Sequence, residues 1–247
     1  MFKFKSWIFC LALLCALPAM AAEKWKVTSL DWQPFSGKTL PEGGAGIAVL
    51  RAALKAEGIE LVVEFFPWTR AIETAKEPGY AGMYPSWPED VPAEGFTKSP
   101  VLFRSAVGFV EPKAKPLVWN KLEDLKGKTI GTVQDYGNTP EFMALIKNGT
   151  IKTQVVVDDI TNIKKVSAGR IDGAFIDLAN LDYFLKNDAK DIASTVQANS
   201  KVLDTKDLVL GLNNKFENKK AAEIIKRGIA KIDPDKIIKD YMAKHIK

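Results

Sequence analysis

The chain has 247 residues, of which 47% are hydrophobic and 26% are charged, with a formal net charge of +5. This apolar content is too high for a disordered chain, and the length suffices for one large domain or two of ordinary size. The only histidine, His245, excludes a Ser/His/Asp triad and any metal site built from several histidines.

Residues 1–21 have the pattern of a cleavable secretory signal. Lys3 and Lys5 give a positive start, residues 7–17 form a short apolar run, and small residues precede the cleavage point. The run is shorter than the roughly 20 apolar residues that a membrane-spanning helix needs. We therefore predict cleavage after Ala21 or one residue later, and export to the periplasm of a cell with two membranes.

Cys10 and Cys15 both fall within the predicted signal. The exported chain from Ala22 would have no cysteine, which excludes disulfides, zinc–thiolate sites and thiol nucleophiles. Removal of the two signal lysines lowers the net charge from +5 to +3. The remaining basic residues are scattered or lie on C-terminal helices, so we expect no nucleic acid partner.

Strand-like and helix-like segments alternate along the rest of the chain, which is typical of an α/β fold with mainly parallel sheets. A glycine-rich turn, Gly43–Gly46, precedes the first helix, and Gly58 ends it. The first run predicts a strand at 26–30, a helix from Gly46, a strand at 59–65, a helix from Pro67 and a strand at 80–84.

A second α/β run follows a strand at 105–110 and a predicted crossing segment at 111–116. We predict two lobes joined by a hinge: 22–109 in lobe 1, 110–204 in lobe 2, and a return of 205–247 to lobe 1. Ligands favour the crevice between such lobes. The remaining predicted elements are strands at 129–133, 154–157, 173–176 and 207–212, helices from about Thr139, at 161–167 and from Leu178, and two closing helices, the second begun by Asp233-Pro234.

Four segments, in order, resemble one family. They are Asp31–Phe35 (DWQPF), the helix start at Gly46, residues 120–131 (NKLEDLKGKTIG) and residues 168–177 (AGRIDGAFID). By their order and spacing the chain resembles the bacterial periplasmic solute-binding proteins of ABC transporters, polar amino-acid type (family 3), as a diverged member.

The resemblance implies two Rossmann-like lobes of the type II periplasmic binding protein kind, closing on a small polar ligand for delivery to an ABC permease in the inner membrane. It implies no cofactor, and we expect a monomer. Trp32 matches the aromatic that packs on the ligand, Trp68 matches an apolar wall residue, and Asp177 matches the carboxylate that receives an α-ammonium group. Thr139 falls near the loop whose polar groups meet the α-carboxylate.

One departure concerns the family's T-x-T-P-E-R motif, whose arginine binds the α-carboxylate through a bidentate pair of hydrogen bonds. The comparable stretch here is residues 84–90, and Asp90 falls at or next to the arginine position. An aspartate would repel a ligand carboxylate. This argues against a standard α-amino acid as the ligand, unless Arg70 or Arg104 supplies the cation that binds its carboxylate.

Each candidate also has a structural explanation. Trp32, Trp68 and Trp87 lie at loop or helix-start positions, where they line a cleft or simply pack. Asp177 ends a predicted strand, where it binds ligand or caps the following helix. Most carboxylate pairs are turns or caps, and this applies to Glu89/Asp90 and to Asp158/Asp159. Gly43–Gly46 fits a turn better than a phosphate or dinucleotide loop.

The sequence therefore favours a binding protein without a catalytic residue or a metal. Two alternatives remain open. One is an enzyme on the same fold, resembling the cyclohexadienyl dehydratases, which would need a carboxyl group as general acid. The other is a ligand-sensing partner of a membrane receptor, with an identical fold.

Overall fold

The computed structural model describes residues 23–217 and 219–246, so the predicted signal and its two cysteines lie outside the described residues. The ten strands of this part are β1 (Glu23–Ser29), β2 (Ile59–Phe65), β3 (Tyr80–Ser86), β4 (Thr97–Lys98), β5 (Phe103–Pro112), β6 (Thr129–Val133), β7 (Lys152–Val156), β8 (Gly173–Asp177), β9 (Val196–Ala198) and β10 (Asp204–Leu212).

Eight α-helices and three short 3-10 helices connect these strands. The α-helices are α1 (Ala45–Lys55), α2 (Trp68–Ala75), α3 (Asp90–Ala93), α4 (Pro140–Lys147), α5 (Asp159–Ser167), α6 (Leu178–Lys186), α7 (Ala221–Ile229) and α8 (Pro234–His245), and the 3-10 helices are Pro41–Gly43, Leu122–Leu125 and Lys190–Ile192. None of the helices in the described part of the chain is long and apolar enough to cross a membrane.

The strands form a mixed sheet in the order β2-β1-β3-β10-β5-β8-β6-β7, and β4 and β9 pair with β10 and β5. β2, β1 and β3 are parallel to one another, as are β7, β6 and β8. β10 is antiparallel to both β3 and β5, and β5 is antiparallel to β8. Two parallel units are thus joined through two central antiparallel strands. The predicted α/β class is confirmed, and the sheet is mixed where mainly parallel strands were predicted.

We call the unit of β1–β4, α1–α3, α7 and α8 lobe 1, and the unit of β6–β9 and α4–α6 lobe 2. β5 runs from one lobe to the other, because its start packs on residues of lobe 1 and its later part packs on residues of lobe 2. Phe103, at its start, lies 4.9 Å from the ring of Phe35, whereas Phe109 lies 5.7 Å from the ring of Trp119. The helices α7 and α8 return to lobe 1 and pack on α1.

The predicted crossing segment at 111–116 begins too early, because Glu111 and Pro112 still belong to β5. Their ladder to β9 extends the strand beyond the point where the proline suggested a loop. The predicted lobe boundaries at 109/110 and 204/205 lie within β5 and at the first residues of β10. They stay predictions, because both strands continue through the crossing.

The carboxyl ends of the parallel strands position the candidate site. The loops after β1, β2 and β3 come from lobe 1, and those after β6, β7 and β8 come from lobe 2. In open α/β sheets, ligands bind in the crevice beyond these strand ends. The same loops carry most of the side chains that line two cavities in the described part of the chain.

Candidate functional site

Two neighbouring cavities lie between the loops of the two lobes, and they share Leu30, Trp68 and Tyr136. The inner cavity has a volume of about 30 Å³ and is lined by Leu30, Trp32, Trp68, Pro85, Ser86, Trp87, Asp90, Tyr136, Gly137 and Leu208. The outer cavity has a volume of about 260 Å³ and is lined by Leu30, Asp31, Lys38, Phe65, Phe66, Pro67, Trp68, Tyr136, Val157, Asp158, Asp159 and Phe184.

The three predicted cleft tryptophans come together at the inner cavity. Trp32 and Trp87 are almost fully buried there, and Trp68 lines both cavities. The ring of Trp87 stands edge-to-face against Tyr136 of lobe 2 at 6.3 Å. The indole nitrogen of Trp68 donates a hydrogen bond to the carbonyl oxygen of Asp135, also in lobe 2, at 3.1 Å. These rings form a wall shared by both lobes.

Asp90 also lines the inner cavity, and its carboxylate contacts lobe 2 directly. Its Oδ2 atom accepts a hydrogen bond from the backbone N–H of Gly137 at 3.1 Å. A side chain at position 137 would overlap this carboxylate, so glycine permits the close approach. Burial, followed by the charge of Glu89, raises the pKa of Asp90 to about 6, although the Gly137 N–H and Lys206 oppose the shift.

Asp159 is the most buried acid of the outer cavity, with 5% of its surface exposed. Burial, and then the charge of Asp177, raises its pKa to about 7, against hydrogen bonding from Tyr136 and with a smaller contribution from Asp158. The sequence predicts a turn or cap for the Asp158/Asp159 pair. Asp158 does cap α5, accepting a hydrogen bond from the N–H of Thr161 at 2.9 Å, whereas Asp159 lines the cavity.

Asp177 is buried at the end of β8 and caps α6. Its Oδ1 atom accepts hydrogen bonds from the N–H groups of Ala179 and Asn180, at 2.9 and 3.1 Å. Its Oδ2 atom is buried and has no hydrogen bond among the described residues. Burial raises the pKa of Asp177 to about 6, although the nearby Ser105 hydroxyl opposes the shift. Asp177 lies outside the lining of both cavities. The structure shows the capping role, and the ligand role stays a prediction.

The other predicted polar residues also lie outside the lining. Thr139 caps α4 through a 3.2 Å hydrogen bond from the N–H of Phe142. Arg70 is exposed and lies over the ring of Phe66 at 5.0 Å. Arg104 is exposed and pairs with Asp207 at 2.7 Å. Among the described residues that line either cavity there is therefore no arginine.

A buried lysine that sequence reasoning missed lies beside the inner cavity. The side chain of Lys206, on β10, is 3% exposed and pairs with Glu89 at 2.8 Å and with Asp204 at 3.3 Å. Its ammonium group lies 6.0 Å from the ring centre of Trp87. Nothing in the local sequence distinguished this lysine from the many exposed ones. Its charge is already neutralised by the two carboxylates.

Several hydrogen bonds join the lobes around the cavities. The Thr69 hydroxyl donates to Asp135 Oδ2 at 2.5 Å, and the Asn180 amide donates to the carbonyl oxygen of Gln33 at 2.6 Å. The structure therefore holds the two lobes in contact. Within the described ranges, no group of three or more His, Cys, Asp or Glu side chains could hold a metal ion.

A comparison with protein-family models gave no match, and no curated protein matches the chain. Solved structures match along most of its length. An amino-acid ABC transporter substrate-binding protein from Streptococcus pneumoniae, bound to L-arginine, is 15% identical with a TM-score of 0.71, over 91% of this chain and 96% of that one.

Two further structures extend the comparison. A histidine kinase sensor domain with similarity to periplasmic binding proteins is 14% identical with a TM-score of 0.73, over 91% of this chain and 97% of that one. An ancestral amino-acid-binding protein, described as a precursor of cyclohexadienyl dehydratase, is 15% identical with a TM-score of 0.66, over 91% and 95%. The fold of this chain is thus that of the type II periplasmic binding proteins.

Proposed function

We propose that this protein binds a small polar solute between its lobes in the periplasm and delivers it to an ABC permease. One observation carries the proposal: residues of both lobes, at the carboxyl ends of their parallel strands, line the same pair of cavities. A ligand there would contact both lobes at once. Such contacts favour the closed state over the open one, which is how a two-lobed protein captures a solute.

The neighbours support this function. The pneumococcal protein is a transporter component bound to an amino acid, and the dehydratase precursor is an amino-acid-binding protein. Periplasmic location is supported by the signal pattern of residues 1–21. We also propose that the working unit is a monomer.

A sensory role is the second candidate, because the sensor domain matches with a TM-score of 0.73. In that case the closed protein would contact a membrane receptor instead of a permease. Crosslinking of the ligand-loaded protein in intact cells, followed by identification of the captured membrane protein, separates the two roles.

The first test is a thermal-shift screen of the exported protein against amino acids, amines, small carboxylates and aromatic metabolites. A ligand that binds only the folded state raises the melting temperature, and the shift grows with the logarithm of ligand concentration above the dissociation constant. We expect at least one class to give such a concentration-dependent shift, which Trp68→Ala abolishes. Absence of a shift with every class contradicts the proposal, and turnover of prephenate or arogenate would replace it with the enzyme alternative.

The matched control is Trp119→Ala. Trp119 is buried in lobe 2 against Phe109 and lies outside the lining of both cavities. Its removal should lower the melting temperature of the free protein, because it deletes a large core side chain. The ligand-induced shift should nevertheless persist, so that loss of stability and loss of binding are told apart.

A further inference from the structure

The charge of the outer cavity is the first observation that identifies a ligand class. Three carboxylates line the cavity, from Asp31, Asp158 and Asp159, against one ammonium group, from Lys38. Asp31 accepts a hydrogen bond from the backbone N–H of Lys38 at 2.7 Å, and Asp158 is engaged as a helix cap. Asp159 is the acid that both is nearly fully buried and lines the cavity.

Aromatic side chains form much of the remaining lining of this cavity. They are Phe65, Phe66, Trp68, Tyr136 and Phe184. The faces of such rings attract cations, and the attraction is strongest where water is excluded. A buried carboxylate surrounded by aromatic rings is an environment that a cation stabilises, because it compensates the cost of burying the negative charge.

The inner cavity disfavours a carboxylate group on the ligand. The N–H of Gly137, on the loop that resembles a carboxylate-binding loop, already donates to Asp90 Oδ2. The protein's own carboxylate therefore occupies that hydrogen-bond donor. A ligand carboxylate in the inner cavity would meet Asp90, while the cation beside that cavity, Lys206, is held by Glu89 and Asp204.

We propose that the ligand is an organic amine without a carboxylate group, its ammonium held by Asp159 and its carbon skeleton lying against the rings of Trp68 and Tyr136. Asp90 takes the place of the carboxylate that an amino-acid ligand would bring. This inference rests on the proposed function, since it names the solute class of the same cleft. It distinguishes this chain from its arginine-bound structural neighbour.

The experiment measures dissociation constants by calorimetry for amines paired with the amino acids that differ from them by one carboxylate. The probes are agmatine with L-arginine, cadaverine with L-lysine and tyramine with L-tyrosine. In at least one pair we expect the amine to bind roughly 10-fold or more tightly than its amino acid, because an unpaired buried carboxylate is costly. Asp159→Asn should weaken binding of that amine roughly 10- to 100-fold.

Asp90→Ala is the second test of the amine assignment, since it frees the Gly137 N–H and removes the charge that repels a ligand carboxylate. We expect the amine-to-amino-acid preference to fall roughly 10-fold in this variant. Asp182→Asn is the matched control: Asp182 is exposed on α6 and pairs with Lys186, outside the lining of both cavities. It should leave every dissociation constant unchanged.

The outcomes separate this inference from the proposed function. Tighter binding of the amino acids in every pair overturns the amine assignment and leaves solute capture intact. Equal amine affinity in Asp159→Asn and in the unmodified protein overturns the assigned ammonium site. If none of the six probes binds, the amine assignment fails, and the proposed function fails with it only where the wider thermal-shift screen also finds no ligand.

Discussion

At the scale of single residues, three wholly or partly buried acids lie in or near the cleft. Asp90, Asp159 and Asp177 all have a raised pKa, and in each case burial is the main cause. Each carboxylate also has a specific polar contact: a backbone N–H for Asp90, the Tyr136 hydroxyl for Asp159 and a helix start for Asp177. Asp90 and Asp159, which line the cavities, favour a positive charge in the cleft.

The raised pKa of Asp159 makes ligand affinity depend on pH. Asp177, Asp158 and Tyr136 are the titratable groups acting on it, and together with burial they bring its pKa to about 7. An amine with a pKa near 10 stays protonated and binds the ionised carboxylate, so below pH 7 binding must expel a proton. We expect the dissociation constant of the preferred amine to rise up to about 10-fold per pH unit below 7.

Calorimetry between pH 5.5 and 8.5, in buffers of different ionisation enthalpy, measures the number of protons that the protein releases when the amine binds. Asp159→Asn should remove the step near pH 7 while leaving weaker changes that Asp90 and Asp177 cause near pH 6. A dissociation constant that stays flat from pH 6 to 8 in the unmodified protein contradicts the role given to Asp159.

At the scale of elements, close backbone approach fixes the return of the chain to lobe 1. Gly228 on α7 lies against α1, where an added Cβ would overlap the carbonyl group of Ala53. In an unconstrained helix, Gly→Ala stabilises by about 0.5–1 kcal/mol. Here we expect Gly228→Ala to lower the free energy of unfolding by about 1–3 kcal/mol, because α7 must move away from α1.

Urea denaturation measures the change, with Lys226→Ala on the exposed side of the same helix as the control. The free energy of unfolding of the control should stay within about 0.5 kcal/mol of that of the unmodified protein. A more stable Gly228→Ala protein would show that α7 does not pack this closely on α1.

Elements were predictable where local chemistry determines them. Two predicted strands match the structure, 59–65 as β2 and 129–133 as β6. The first has an alternating apolar pattern, the second is rich in β-branched residues, and each follows a glycine turn. Thr139 and Asp233 were placed correctly as helix starts by the residue types that cap. The end of β5 was placed too early, because the ladder to β9 decides it and that partner lies far along the chain.

Much of the site could not be predicted for the same reason. The contact of Asp90 with Gly137 joins residues 47 positions apart, and the pair of Arg104 with Asp207 joins residues 103 apart. The aromatic positions followed from the resemblance and from their loop locations. Whether a carboxylate such as Asp159 caps a helix or faces a cavity depends on how lobe 2 meets lobe 1, which no local pattern encodes.

At the scale of the whole molecule, β5 and β10 connect the lobes, and hydrogen bonds close the opposite side of the cleft. Three side-chain donors make these closing contacts: Trp68 and Thr69 to Asp135, and Asn180 to Gln33. The hydrogen bond from Gly137 to Asp90 and the ring contact of Trp87 with Tyr136 add to them, and we expect the lobes to separate when enough of these contacts are removed. Ligand contacts would then shift a balanced equilibrium towards the closed state.

The double variant Trp68→Phe/Thr69→Val removes both donors to Asp135 and keeps an aromatic ring in the cavity wall. Each lost hydrogen bond is worth about 0.5–1.5 kcal/mol, so the closed-to-open ratio should fall roughly 5- to 150-fold. We expect a larger radius of gyration of the ligand-free protein in small-angle X-ray scattering, and recovery of the compact value at saturating ligand. Thr97→Val is the control, because its hydroxyl bonds Asn214 within lobe 1. An unchanged radius in the double variant, equal to that of the control, would mean that the lobes do not separate and that the cleft is a fixed cavity.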